Sequence, residues 1–482
     1  MAVPITLDPA DTNPLYLQIA TRLRAAVAAG TLSAGARLPS ARSLATQLSV
    51  ARGTVDAAYA LLAGEGAIET RGSAGTVISP HLSARVEAPE QPSMAFGAER
   101  DRDIGPLPFR MGLPALDAFP RKLWSGLTVR AARALGPAEL TYPDPAGFGG
   151  LRQAVAAYLG VSRGIRCSAA QVLITGGFQG ALALIRQVLI RPGDLVWVED
   201  PGYLLTRQAF EASGARLVPI RVDADGMRVQ AATVAAPRAR MAVVTPTHQS
   251  PLGVSLALPR RLALLAWAAE TGAWVLEDDY DSEFRYTGRP LPALKSLDRG
   301  ERVLYAGTFS KVLFPGLRLG YLVVPHELAD AFLRASRLLT AGPPPLEQRV
   351  TTAFMDQGHF ARHLRRMRTL YAARRKALAT CLVASLGDRV SIELEAGGMH
   401  LLARFPGAAD DSVLARRAAA AGLAPTALSG LAMAHDCGQG LLLSFTNVPE
   451  HQAEAVVARL GSALGIGASV AVTPRTSDPL SA

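Results

Sequence analysis

Residues 308–321 read Thr308-Phe309-Ser310-Lys311-Val312-Leu313-Phe314-Pro315-Gly316-Leu317-Arg318-Leu319-Gly320-Tyr321. An apolar run at 302–306 precedes them, so Lys311 stands just past the end of an expected strand, behind the small polar pair Thr308 and Ser310. A lysine in such a turn can enter a pocket and form an imine with an aldehyde. Ser310 and Arg318 add a hydroxyl and a guanidinium, a donor set suited to a phosphate dianion. The chain holds three other lysines, none in a comparable setting: Lys122 and Lys376 lie in arginine-rich helical contexts, and Lys295 follows a proline-rich loop.

Outward from this stretch, short β-type runs at 171–175, 195–199, 241–245, 274–278, 302–306 and 318–324 alternate with helical segments. Such alternation predicts an α/β domain with a mostly parallel sheet and ligand sites at the strand ends. Thr175-Gly176-Gly177-Phe178-Gln179-Gly180 joins one strand to a helix expected over 179–189. A glycine turn there offers free amides and a positive dipole end to a phosphate, although many such turns serve packing alone. Glu277-Asp278-Asp279-Tyr280 closes another strand. Two adjacent acids are costly to bury unless a cation meets them, and a protonated ring nitrogen would do so. Strand alternation lets only one of the two face such a ring. Taken alone, the acidic pair reads at least as well as a metal-binding or solvated one.

The first eighty residues have a different organisation. Leu15, Ile19, Leu23, Ala26 and Val27 mark an amphipathic helix after Pro14. Ser40 is a good N-cap for a helix over 41–48, and Ser49-Val50-Ala51 leads tightly into a second helix over 52–62. Two short helices so joined have helix-turn-helix geometry, in which the second lies in a major groove. Residues 67–72 and 75–78 then read as a hairpin, a wing.

At 482 residues the chain exceeds one compact core and fits two or three domains. The net charge of +10 comes almost wholly from arginine, which fits a nucleic-acid partner and fits a genomic base-composition bias equally well. Cys167, Cys381 and Cys437 show no metal spacing, so a reduced, cytoplasmic protein with no metal is expected. No signal core and no membrane-spanning apolar stretch is visible. His359 and His363 sit four apart on an expected helix, which reads as a solvated face. Residues 79–107, with Pro80, Pro89, Pro92 and Pro106, read as a semi-stiff linker, and 469–482 as a disordered tail.

Leu38-Pro39-Ser40-Ala41-Arg42, Val50-Ala51-Arg52-Gly53-Thr54-Val55 and Arg71-Gly72…Gly75-Thr76 together resemble the GntR-type winged helix. The resemblance implies contacts to double-stranded operator DNA from Arg42, Arg52, Thr54, Arg71 and Gly72. Ala51 departs from it, since that family usually has Ser there, which removes one phosphate contact. Residues from about 107 to 466 resemble fold-type I aminotransferases. The whole chain, through 308–321 and Glu277-Asp278-Asp279-Tyr280-Asp281-Ser282-Glu283-Phe284-Arg285-Tyr286, is similar to the MocR/GabR-type subfamily of GntR regulators. This implies a multi-domain chain: a small α+β winged helix at 1–78, a linker, and an α/β pyridoxal-5′-phosphate (PLP) domain at 108–468.

By the same resemblance Lys311 is the Schiff-base lysine, Asp278 the partner of the pyridine nitrogen and Tyr280 that of the ring hydroxyl. Tyr203 stacks on the ring, while Gly177, Phe178, Gln179, Ser310 and Arg318 hold the phosphate. The implied function is a homodimeric transcription regulator that senses an amino compound, or PLP itself, through an aldimine at Lys311. The alternative is a working aminotransferase with an appended DNA-binding domain. Two departures from transaminases bear on that choice. In His248-Gln249-Ser250-Pro251-Leu252-Gly253 the Asn that touches the ring hydroxyl is missing, with His248 or Gln249 as its expected substitute. At 440–445 leucines stand where transaminases place a carboxylate-binding arginine, leaving Arg207 and Arg404 as candidates for that task.

Overall fold

The computed structural model describes Val3 and residues 5–72, 75–81, 105–288, 291–340, 342–407 and 410–466. Most of the expected linker, at 82–104, and the whole 469–482 tail lie outside the described residues. The chain forms two compact units, Met1–Arg102 and Asp103–Ala482.

In the first unit, α1 (Leu15–Ala28), α2 (Ala41–Leu48) and α3 (Arg52–Gly64) are followed by β1 (Ile68–Thr70) and β2 (Thr76–Ile78). The Ser40 hydroxyl accepts from the Ser43 amide at 3.1 Å and so caps α2, as its position predicts. Ser49, at φ 56, turns the chain out of α2. Ala51 begins α3 with no side-chain cap. The two strands pair antiparallel, Ile68 opposite Ile78 and Thr70 opposite Thr76, which forms the wing. Ile19, Leu23, Leu44, Val55 and Leu62 fill the core together with Val3 and Ile5 from the preceding segment. Leu15, expected on the apolar face of α1, is instead 44% exposed in the first turn of the helix.

The second unit opens with α4 (Arg121–Arg133) and α5 (Gly149–Arg163), then β3 (Val172–Thr175), α6 (Gly177–Leu189), β4 (Leu195–Asp200) and α7 (Leu204–Glu211). Next come β5 (Arg216–Asp223), β6 (Gly226–Met227), β7 (Met241–Val244), β8 (Trp274–Asp279), β9 (Val303–Thr308) and β10 (Gly320–Val323). These strands form one sheet in the order β3-β10-β9-β8-β7-β4-β5-β6. Strands β5, β4, β7, β8 and β9 run parallel, as the alternation predicts, while β10 is antiparallel to both its neighbours. Strands β3 (VLIT), β7 (MAVV) and β8 are buried along their whole length and β9 along most of it, as expected of a sheet covered on both faces.

Two strand expectations need correction. Strand β5 was not anticipated, because Pro219 and two exposed arginines, Arg216 and Arg221, interrupt its apolar pattern; it pairs with β4 and, at its far end, with the short β6. The strand expected from 318 begins only at Gly320, since Arg318 has φ 50 and cannot continue an extended run. A smaller sheet, β11 (Ser391–Glu393), β12 (His400–Arg404), β14 (Leu441–Ser444) and β13 (Thr426–Ala427), follows a 28-residue helix, His359–Leu386. His363 on that helix is buried, its Nε2 2.9 Å from the Val312 carbonyl, so the expected solvated face is corrected there. Among the described residues no helix is long and apolar enough to cross a membrane.

Candidate functional site

Because β10 is antiparallel to both β3 and β9, the C-terminal ends of β3, β9, β8, β7 and β4 all emerge at one sheet edge. There a cavity of about 360 Å³ opens, lined in part by Phe178, Gln179, Tyr203, Asp278, Tyr280, Ser310, Lys311 and Arg318. Eight of the nine residues that the resemblance assigns to a cofactor thus share one cavity wall, although they lie as far apart in the chain as Phe178 and Arg318. Gly177 stands beside it, its Cα next to the Arg318 guanidinium.

Each side chain is placed by a local cause. Lys311 follows β9 after Thr308, whose hydroxyl accepts from the Ser310 amide at 3.1 Å and fixes the turn. The Lys311 amine donates to the Gly112 carbonyl at 3.0 Å. Gly112 has φ +76, and a Cβ there would fall 2.2 Å from Nζ, so any other residue would strain the backbone and displace the amine. Burial pulls the Lys311 pKa down, opposed by Asp278 and Asp281. Arg318 donates to the Gly176 carbonyl at 3.2 Å, at the first turn of α6, where backbone amides lack intrahelical acceptors.

The two adjacent acids part company. Asp279 pairs with Arg163 at 2.7 Å and accepts from the Tyr305 hydroxyl at 2.6 Å, beneath the site. Asp278 lines the cavity and takes no hydrogen bond from any described residue, though it is only 8% exposed. Its carboxyl pKa is raised well above the ordinary range, first by burial and then by Asp279, with Lys311 opposing. A buried carboxylate without a donor, facing a cavity, fits a ligand that brings a cationic N–H.

Tyr280 approaches His248, its hydroxyl 2.9 Å from Nδ1, and the same nitrogen lies 3.0 Å from Asp281 Oδ2. The expected substitutes for the missing Asn are corrected here. Gln249 is spent on the carbonyls of Pro201 and Ser250 and on the Leu252 amide, and His248 stands behind Tyr280. Of that turn, Ser250 and Pro251 reach the wall; burial raises the Tyr280 pKa well above its ordinary value, with the Ser250 hydroxyl opposing. The carboxylate-binding candidates are corrected too. Arg207 is buried and donates to the Ala432 carbonyl at 3.1 Å. Arg404 is held by Glu393 at 2.5 Å and by the Gln439 carbonyl. Neither lines the cavity. Sequence reasoning missed Met111, Gly112, Met399, His400 and Thr426, which reach the wall from segments carrying no motif, though Leu442 lies in the leucine run it did single out.

On the first unit, Arg42 and Arg52 are exposed at the starts of α2 and α3, and Arg52 stands 3.4 Å from Asp56, one turn on. Thr54 is half-buried in the first turn of α3. Arg71 lies at the wing tip beside Gly72 (φ +48), paired with Glu69 at 3.0 Å.

Residues 15–78 match the family described as bacterial regulatory proteins, gntR family, and residues 122–434 match aminotransferase class I and II. The chain is 38% identical over 457 residues to the probable rhizopine catabolism regulatory protein MocR of Rhizobium meliloti, covering 92% of each. It is 33% identical to the pyridoxine biosynthesis transcriptional regulator PdxR of Corynebacterium glutamicum, covering 96% of this chain and 99% of that one. Among solved structures, α-aminoadipate aminotransferase LysN from Thermus thermophilus, complexed with N-(5′-phosphopyridoxyl)-L-leucine, superimposes with a TM-score of 0.69. It shares 30% identity, over 76% of this chain and 94% of that one. A gntR-type winged helix ahead of a fold-type I aminotransferase domain, with such relatives along nearly its full length, makes this chain a member of the MocR-type branch of the GntR transcription regulators.

Proposed function

We propose that this regulator holds PLP in the sheet-edge cavity and couples the occupancy of that cavity, by an amino compound or by PLP itself, to operator binding. The observation that carries this reading is Asp278: a buried carboxylate with no donor, in one cavity with a buried lysine amine and a helix N-terminus. When bound, PLP supplies an aldehyde with which primary amines condense reversibly, and a basic ring nitrogen. Lys311 would hold that aldehyde, Asp278 the ring nitrogen and Tyr280 the ring hydroxyl. Tyr203 would cover the ring, and Gly177, Phe178, Gln179, Ser310 and Arg318 would take the phosphate. His248 keeps the Tyr280 hydroxyl directed, and Gly112 keeps the Lys311 amine inside the wall.

Regulation follows from linkage. A ligand shifts DNA affinity only as far as it prefers one conformation of the protein over the other, and operator DNA must then change ligand affinity by the same factor. Arg42, Arg52, Thr54, Arg71 and Gly72 would contact the operator, with two copies of the chain as a homodimer on two half-sites. Leu442 on the wall, where transaminases carry an arginine, counts against sustained transamination. Titrating PLP into the purified protein tests the reading. A visible absorption band that borohydride bleaches, and that Lys311→Ala lacks, is expected. Protein that stays colourless with PLP refutes it.

A further inference from the structure

We infer that the effector is a primary amine on an apolar body that carries no carboxylate, an inference resting on the cofactor reading above. Beyond the residues assigned to PLP, the cavity wall includes the apolar side chains of Met111, Met399, Leu431 and Leu442, along with Thr426, His400 and the hydroxyls of Ser250 and Thr308. The apolar surface continues behind this wall, where Leu442 packs with Leu402 and Leu428 against Met111 and Leu431. Among the described residues of the lining, the only cations are Lys311 and Arg318. Lys311 is bonded to Gly112, and Arg318 stands against the Gly176 carbonyl at the start of α6, at the end assigned to phosphate.

His400 offers no replacement cation. Burial and the neighbouring His248 push its pKa down to about 4, so it is neutral near pH 7. Its Nε2 donates to the Pro251 carbonyl at 2.9 Å, which leaves Nδ1 as an acceptor. The two arginines nearest in sequence expectation, Arg207 and Arg404, are spent on Ala432 and on Glu393 and Gln439. A carboxylate placed on this wall would meet Leu442 and methionine side chains, with neutral groups such as the Thr426 and Ser250 hydroxyls to bond, and so would lose hydration without an ion pair. An alkyl or aryl group there gains burial instead.

The test uses full-length protein loaded with PLP and matched pairs that differ by the carboxylate alone: leucine against 3-methylbutylamine, and phenylalanine against 2-phenylethylamine. Two readouts are followed together, the visible cofactor band and affinity for operator DNA. Each amine is expected to half-saturate the spectral change at a concentration at least tenfold below that of its amino acid, and to shift operator affinity. Leu442→Arg is expected to reverse the order by restoring a cation to the wall. The wild-type pairs decide the matter alone if that variant does not fold. Amino acids that bind as well as the amines, or loaded protein that responds to neither, overturn the inference, as does operator binding that responds to free PLP alone. Failure to take up PLP at all is a different result, which removes the cofactor reading itself.

Discussion

Asp278 and Asp279 are neighbours in sequence with opposite work, and replacing each in turn separates them. The Asp279 carboxylate is 2% exposed and meets an Arg163 guanidinium that is 5% exposed, at 2.7 Å. Without it, Arg163 keeps hydrogen bonds only to neutral groups, the Thr247 hydroxyl at 3.0 Å and the Leu291 carbonyl at 3.1 Å, with Glu277 and Glu283 acting on it more weakly. Leaving one half of a buried pair uncompensated costs about 3–5 kcal/mol. The Tyr305 hydroxyl also loses its acceptor, at about 1–3 kcal/mol more. Asp279→Ala should therefore destabilise the second unit by at least about 3 kcal/mol with or without cofactor.

Asp278→Asn should do the reverse in the absence of cofactor. Its carboxyl has a folded pKa above the unfolded value, so the ionised form opposes folding at every pH above about 4, where the unfolded group ionises. Removing the charge should raise stability at pH 7–8, and the gain should vanish as pH falls toward 4. PLP uptake should be lost in the same variant. Denaturant unfolding followed by tryptophan fluorescence reads this unit alone, because Trp124, Trp197, Trp267 and Trp274 all lie in it. The reasoning fails if Asp278→Asn lowers the apo midpoint as much as Asp279→Ala does, or if Asp279→Ala leaves it unmoved.

Two further outcomes follow. Arg52→Ala should weaken operator binding by about 1–3 kcal/mol if the side chain reaches a base edge, and the slope of affinity against salt should stay steep because the other phosphate contacts persist; gel-shift or anisotropy titrations at several salt concentrations measure both. Gly112→Ala places a methyl group 2.2 Å from the Lys311 amine at φ +76, so it should cost about 1–2 kcal/mol of stability from backbone strain and slow PLP uptake. Absorbance after PLP addition tests this, and wild-type uptake rates would contradict it.

The parts of the site that travel with a strand end were legible in the sequence. Lys311, Asp278, Tyr280 and the glycine turn at Gly176-Gly177 each follow an apolar run that the sheet turns into a buried strand. The helix-turn-helix was equally plain, because Ser40 and the short turn at Ser49 are local signals. What escaped depends on distance in chain. Gly112 meets Lys311 across 199 positions, and nothing in its own neighbourhood marks it. Leu442 and His400 come from a small second sheet whose strands of two to five residues carry little periodicity. The substitute for the missing Asn was misjudged because side chains in an irregular turn follow no period. His248 and Gln249 turn inward to Tyr280, Asp281 and Pro201, and Ser250 and Pro251 are left at the wall.

We propose that one cavity, organised around Lys311, controls the DNA-binding unit. Operator affinity measured on full-length wild-type protein and on Lys311→Ala, each across a PLP titration with the visible band recorded on the same samples, tests it most directly. The predicted result is a borohydride-sensitive band in the wild type, an operator affinity that shifts in step with it, and neither the band nor the shift in the variant, whose affinity without PLP equals that of the wild type. Operator affinity that ignores PLP while the band forms and then also ignores 2-phenylethylamine added to the loaded protein, or that shifts identically in Lys311→Ala, would contradict it.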